Sequence, residues 1–501
     1  MTLSPDRIPV LIGAANVTDR PATIAEAREP LALMQAALAA ALKDAGGEKN
    51  LLSLIDSIDV VNLVSWPYTA PADLLCERLG IKPARCEYGV VGGETPVKML
   101  HEAARRIALG ESHCAVILSA ESQNSVDKAR RAGETLNWTD PSPTPQNPLG
   151  RMDYMNQAAI DMEVFLPVAV YPFYESATAA LWGQTPREAL AETGALWAQY
   201  SAAAATHPES WISQTLSADD ITTVSESNRL IAWPYTKLMV ANPSVNQGAA
   251  VIVTSLALAR EAGIAEDRLI YVHGGAAAME PRDYLARDVF NRSVAQEEVL
   301  KTAQKLAPAA FSAVELYSCF PCVPKMARRI LGLGEEVAPT VTGGLTFFGA
   351  PLNGYMNHAA VCMLQHLRAQ PGTGLLYGQG EFVTKHHALV LSSEAPANDS
   401  ITQDYSVQAQ ADAARGKVPP LATNVCDCVT IEAYTILFER DGQPKQAVVI
   451  AIDDNDQRCV SRVLAADSDA ISRLMDLDLS MIGERGEVAP GKGGLLEFRL
   501  T

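Results

Sequence analysis

Two stretches of this chain carry the same local pattern, and no other feature restricts its fold as strongly. Residues 7–15 read Arg-Ile-Pro-Val-Leu-Ile-Gly-Ala-Ala and residues 268–277 read Arg-Leu-Ile-Tyr-Val-His-Gly-Gly-Ala-Ala, each an apolar strand running into small residues. Each is followed by a helix-period segment and an acidic-apolar strand (Ile55 to Val64; Ala313 to Phe320). A Gly-Gly turn (Gly92-Gly93; Gly343-Gly344) then opens another helix, and a last apolar strand closes the unit. One α/β unit written twice predicts two facing copies with a site between them.

Local signals fill in the copies. Leu31, Met34, Leu38 and Leu42 recur at helical spacing after the strand Val10-Leu11-Ile12, and Gly46-Gly47 ends that helix. Thr95-Pro96 predicts a helix start, threonine as N-cap and proline at the first helical position. Val97, Leu100, Ala104, Ile107 and Ala108 form its apolar stripe and Gly110 its stop. The uniformly apolar Ala115 to Leu118 implies a strand buried on both faces, hence helices on both sides of the sheet.

Residues 123–240 break the pattern. Pro141, Pro143, Pro145 and Pro148 and five of the six tryptophans fall there, which predicts an insertion folded over the edge of the core. The repeat resumes near Ala250 and runs to about Ser393; Glu394-Ala-Pro-Ala-Asn-Asp-Ser reads as a linker. Beyond it strands dominate. Thr430 to Phe438 and Gln446 to Ile452 flank the hairpin turn Asp441-Gly442, and Arg458 to Leu464 and Leu495 to Leu500 add more, predicting a small antiparallel barrel or OB-like module. The organisation expected is therefore 1–250 for the first half with its insertion, 251–393 for the second, and 405–501 for the added barrel. Residues up to about 400 are expected to fold as one unit and the tail as another.

The bulk numbers bound the function. A net charge of −18 argues against nucleic acid or an anionic membrane surface as partner, while leaving room for an anionic small molecule at a local basic rim. The first residues lack a basic segment followed by an apolar one, and no run of 18 apolar residues occurs, so the expectation is a cytoplasmic protein without a membrane span. Nine cysteines are read as reduced thiols.

Four local segments carry a family resemblance: Cys114-Ala-Val-Ile-Leu-Ser-Ala-Glu-Ser122, Ala241-Asn-Pro-Ser-Val-Asn-Gln-Gly-Ala-Ala250, Glu315-Leu-Tyr-Ser-Cys-Phe320 and Gly343-Gly-Leu-Thr-Phe-Phe-Gly-Ala-Pro-Leu352. Together they make residues 5–393 resemble the thiolase superfamily, and the tail is similar to that of thiolase-like proteins of type 1. These carry an extra C-terminal domain unlike the sterol-carrier domain of some relatives. The resemblance implies a duplicated αβαβα layered core, and no covalently bound cofactor but a coenzyme A thioester as possible ligand. It also implies a monomer or a homodimer paired through the strand near Cys114 to Ser119, a contact that the tail could block.

It also implies where catalytic residues belong. Thiolases of the family use a cysteine at the start of the helix after the first Gly-Gly-like turn, where free N–H groups favour thiolate; that position here is Gly93. The histidine of the family's GHP triplet is Ala350. The second cysteine falls at Tyr377 or Gly378, and the residue heading the NEAF or HDCF motif is Tyr317. A missing nucleophile and base together remove many orders of magnitude of rate.

Three residues remain as candidates for chemistry. Tyr317 replaces a catalytic residue, and a tyrosine there resembles thiolase-fold aldolases that cleave steroid side-chain CoA esters, where a phenol serves as acid or base; the competing reading is a plug in an abandoned site. His358 lies eight residues past Ala350, roughly 12 Å along a helix, and reaches the pocket only if the first turn is irregular; a core or interface histidine is the alternative. Cys319 is the thiol nearest the expected pocket, although Cys319-Phe-Pro-Cys322 reads first as packed thiols, with Cys426 and Cys428 in another domain and no metal implied.

Glu94 would place a carboxylate where an oxyanion should be stabilised, so it reads instead as a helix-start residue. His386 and His387 face opposite sides of a strand and cannot share a metal. Two functions follow. One is an acetyl-CoA acetyltransferase-like protein of lipid metabolism without thiolase activity that binds acyl-CoA or a lipid-type ligand. The other is an active acyl-CoA enzyme of altered chemistry, a retro-aldol lyase or acyltransferase, using Tyr317 with His358 or Cys319.

Overall fold

The computed structural model describes residues 3–46, 50–147, 154–422 and 428–501; Gly47, Pro148 and Cys426 lie outside them. The first copy supplies β1 (Pro9–Thr18), β2 (Ser57–Val60), β3 (Arg85–Tyr88) and β4 (Cys114–Ser122). A short hairpin, β5 (Leu230–Ala232) and β6 (Tyr235–Thr236), lies in the inserted segment, and β7 (Asn246–Ser255) completes the copy. The second copy supplies β8 (Ile270–Met279), β9 (Ala313–Leu316), β10 (Thr373–Gly380) and β11 (Lys385–Ser392).

These strands form one mixed sheet in the order β3-β2-β4-β7-β1-β8-β11-β10-β9. Its symmetry is the duplication made visible, since β1-β7-β4-β2 and β8-β11-β10-β9 run outward from a shared seam. That seam is short: Val10 pairs with Tyr271 and Leu11 with Ile270. Outside β9, where the first copy has β3, the chain runs irregularly, Leu316 N–H donating to the Pro339 carbonyl at 3.0 Å.

Both faces of the sheet are buried, as the apolar runs require. Along β4, Cys114, Val116 and Leu118 pack with the helix Pro30–Ala45, whereas Ala115 and Ile117 face the helix Thr95–Leu109. Thr95–Leu109 and its counterpart Tyr355–Ala369 pack against each other in the layer between the two copies. The start of the first differs from expectation: Glu94 holds the cap position, and Thr95 Oγ1 donates to the Val90 carbonyl at 3.2 Å. The strand expected to pair subunits is also corrected. β4 is bonded on both sides, to β2 and β7, so it offers no edge, and β3 is the outer strand.

The tail is a closed five-stranded barrel of β12 (Cys428–Phe438), β13 (Pro444–Asp453), β14 (Arg458–Leu464), β15 (Arg485–Pro490) and β16 (Leu496–Leu500). Its cyclic order is β12-β13-β14-β16-β15, with β14–β16 a parallel pair and the helix Ser468–Leu474 after β14. That is an OB-like arrangement around its own core of Val429, Ile431, Ile436 and Val449. Asp441-Gly442 does make the first turn, Gly442 in a left-handed conformation at φ 84°.

The insertion reaches the barrel. β5 pairs with β12 at Ala232↔Leu437, and Ser176 Oγ, in the helix Pro167–Leu181, donates to the Tyr434 carbonyl at 3.3 Å. Before the barrel, the chain passes the end of β8, where Ala277 N–H donates to the Tyr405 carbonyl at 3.0 Å. Among the described residues no helix is long and apolar enough to cross a membrane.

Candidate functional site

The two copies meet at the start of the helix Thr95–Leu109, and there the structure brings Tyr317 onto Gly93. A Cβ placed on Gly93 would overlap the Tyr317 hydroxyl and stand 2.7 Å from Tyr317 Cζ and 2.5 Å from the Gln379 carbonyl oxygen. The phenol thus occupies the volume a nucleophilic side chain at residue 93 would need. Tyr317 is held from behind, its N–H donating to the Tyr377 carbonyl at 3.1 Å and its ring meeting Tyr355 edge-to-face at 6.1 Å. Burial first, then the nearby Cys319 and Glu94, raises its pKa well above the ordinary value, so the phenol stays protonated.

The other positions of the expected catalytic set are equally without reactive groups. Gly378, not Tyr377, faces the site: its Cβ would come 3.0 Å from Glu94 Cα, whereas Tyr377 points to the other side of β10 and bonds His386 Nδ1 at 2.8 Å. Ala350 is buried, its N–H donating to the Asn242 carbonyl at 2.9 Å.

Cys319 joins a polar cluster that composition did not reveal. Gln379 Nε2 donates to Cys319 Sγ at 3.2 Å and to Tyr171 Oη at 2.5 Å, and Tyr171 stacks on Phe320 at 4.2 Å. Burial pushes the Cys319 thiol up to about 12, opposite to what a nucleophile needs. Cys322 is buried and faces the Tyr171 carbonyl.

His358 stands apart from this cluster. The turn before its helix is irregular, as pocket access required, with Leu352–Gly354 a 3-10 turn and Leu352 at φ 44°. Its ring nevertheless packs against Phe348 at 5.6 Å, with both ring nitrogens buried and unpartnered, and burial lowers its pKa to about 3. Tyr355, three residues earlier, is the member of that helix that meets Tyr317. Tyr355 Oη donates to Glu315 Oε1 at 2.6 Å, and Thr340 Oγ1 donates to Oε2 at 2.8 Å.

Glu94, Asn353, Gln379 and Tyr171 are site residues that sequence reasoning undervalued or missed. Asn353 Oδ1 accepts from Gly92 N–H at 3.0 Å and its amide donates to Asn62 Oδ1 at 3.1 Å, fixing the glycine turn. Its place one residue after Gly349-Ala350-Pro351-Leu352, opposite a Gly-Gly turn, was the available signal. Glu94 is buried, and burial raises its pKa despite Lys385 nearby. His386 and His387 go to separate partners, His387 Nε2 lying 2.9 Å from His101 Nδ1. Among the described residues no group of three or more His, Cys, Asp or Glu side chains is placed to hold a metal ion.

The duplicated layered core and the glycine turn facing the second copy define a thiolase-fold protein. The tail narrows this, since residues 407–492 match the thiolase-like protein type 1 additional C-terminal domain, which supports the type 1 thiolase-like family. It is similar over 100% of both chains, at 26% identity and a TM-score of 0.82, to a monomeric SCP2-thiolase-like protein type 1 from Mycobacterium smegmatis. An Ltp2–ChsH2(DUF35) aldolase shares the fold at 16% identity and a TM-score of 0.57, with 79% of this chain and 100% of that one covered. Human mitochondrial 3-ketoacyl-CoA thiolase in complex with CoA does so at 16% identity and 0.56, with the same coverage. No curated protein matches the chain.

Proposed function

We propose that this protein keeps the thiolase fold without thiolase chemistry and uses it to bind an acyl-CoA or a lipid-type ligand, for transfer or scaffolding. The observation that carries the reading is Tyr317 standing in the side-chain volume of Gly93. Acyl transfer through residue 93 needs a nucleophile, a base and a free approach, and Gly93, Ala350 and the Tyr317 phenol supply none of them. The CoA complex of the human thiolase, which shares the fold, supports a CoA thioester as the ligand class.

A thermal-shift series with CoA and graded acyl-CoAs tests the reading. A ligand at 100 times its dissociation constant adds about 2.7 kcal/mol of stability, so binding raises the melting temperature measurably. A flat response across the series is the result against it.

A second reading has one observation of its own: the neutral phenol of Tyr317 lies beside the buried carboxyl of Glu94, a pair able to pass a proton to and from a substrate hydroxyl. On this reading the protein is an acyl-CoA lyase or acyltransferase of altered chemistry, Tyr317 acting as acid or base and Cys319 lining the site. His358 would have no direct part. Release of an aldehyde or ketone from a β-hydroxyacyl-CoA would favour it.

A further inference from the structure

Glu94 is a buried carboxyl that the fold does not use. It holds the cap position of its helix, yet its side chain caps no backbone N–H, and Oε2 is shielded from solvent without a hydrogen-bond partner. Lys385 lies near Glu94 and opposes the effect of burial, while its ammonium pairs with Glu381 at 2.9 Å. Two glycines make the room: a Cβ on Gly92 would stand 2.5 Å from Oε2, and one on Gly380 would overlap it. Burial there disfavours the ionised carboxylate and raises the group's pKa, and in its protonated form it presents an O–H donor.

Glu94 is also a lining residue of a cavity of about 410 Å³, walled by the ends of β8 and β11 and by residues 404–408. Lys98, Glu102 and Arg105 continue from Glu94 along one face of the helix, a stripe of roughly 16 Å. Tyr405 donates to Glu102, and Asp404 is the other acid on the wall. Arg105 Nε at the far end is buried and unpartnered, as is Glu94 Oε2 at the near end, and Lys98 is exposed between them. The cavity therefore offers the Glu94 carboxyl at one end and, along the helix, Lys98 and Arg105 with Glu102 between them.

We propose that an acyl-CoA thioester docks in this cavity, its carbonyl oxygen accepting the Glu94 O–H and its phosphates meeting Lys98 and Arg105. The placement rests on the acyl-CoA reading above and adds to it the route of entry, along the outer face of the helix Thr95–Leu109.

Acetyl-CoA titration followed by thermal shift and calorimetry tests it on four variants. Ser406→Trp fills the mouth from an exposed position and is expected to weaken binding tenfold or more. Lys98→Glu, also at an exposed position, is expected to weaken it about tenfold and to flatten its salt dependence. Glu94→Gln keeps an N–H donor and should bind within a few fold of wild type, whereas Glu94→Ala should lose about tenfold. The ligand-free melting temperature of each variant separates lost fold from lost binding. Wild-type affinity in both Ser406→Trp and Lys98→Glu would overturn the placement and leave the acyl-CoA reading standing. No binding by the wild type would overturn both.

Discussion

The hydroxyl of Tyr317 lies in the space that the side chain of residue 93 would fill, so the two positions exclude each other. Gly93→Ala should therefore cost about 1–3 kcal/mol, because the Gln379 backbone carbonyl at 2.5 Å cannot yield as a side chain would. Gly93→Cys should be destabilised likewise and should gain no thiolysis of acetoacetyl-CoA. Urea unfolding that found Gly93→Ala within 0.5 kcal/mol of wild type would mean that the phenol moves aside freely.

No acyl adduct is expected on the wild-type protein after incubation with acetyl-CoA. Intact-mass spectrometry checks this. An acylated cysteine that disappears in Cys319→Ala would show a relocated nucleophile and remove the ground for an inactive site.

Tyr317→Phe separates the two functional readings. If Tyr317 exchanges a proton with substrate, the variant keeps ligand affinity and loses roughly 100-fold or more in turnover. If the site only binds, affinity stays within a few fold and no turnover exists to lose. Loss of binding alone would make Tyr317 a structural residue whose hydroxyl shapes the pocket.

Burial raises the pKa of Glu121 and Glu315 to about 7. Near 4.5, the unfolded chain releases these protons while the folded protein keeps them, so their stabilisation is complete below about pH 4.5 and lost as pH rises through about 7. Glu315→Gln cannot ionise. Between about pH 5 and about pH 8 it should lose less stability than wild type, by on the order of 2 kcal/mol. Parallel pH profiles in chemical denaturation would contradict the assignment.

Arg458 joins the barrel to the core. Buried, it forks onto Glu432 at 2.8 and 2.9 Å and donates to the Leu285, Arg287 and Asp288 carbonyls at 2.8, 2.6 and 3.1 Å. Arg458→Met should destabilise by about 3–5 kcal/mol, since Glu432 would be left half-buried without its partner. In limited proteolysis the barrel should then be released after cutting at 394–404, whereas in the wild type it should stay bound to the core.

Much of the fold was legible in the sequence because repetition and periodicity are local. The paired strands at Val10 and Ile270, the stripe from Val97 to Ala108 and the Asp441-Gly442 hairpin each follow from residues adjacent along the chain. β3 was missed because Arg85-Cys-Glu-Tyr88 is short, polar and half exposed, as an outer strand allows. The β5–β6 hairpin was missed because its pairing with β12 spans some 200 residues, and no local pattern encodes so distant a partner.

For the site, the sequence by itself determined what is absent, since Gly93 and Ala350 have no reactive group in any fold. It could not determine what fills the space left behind. Only the tertiary structure put the Tyr317 phenol over Gly93, turned Gly378 toward the helix start and sent His358 against Phe348. It also buried Glu94, a helix-start carboxyl in the sequence, against a cavity where burial raises its pKa. The reason is physical: identity is a property of one residue, whereas protonation state, occupied volume and direction depend on neighbours that only long-range packing brings together.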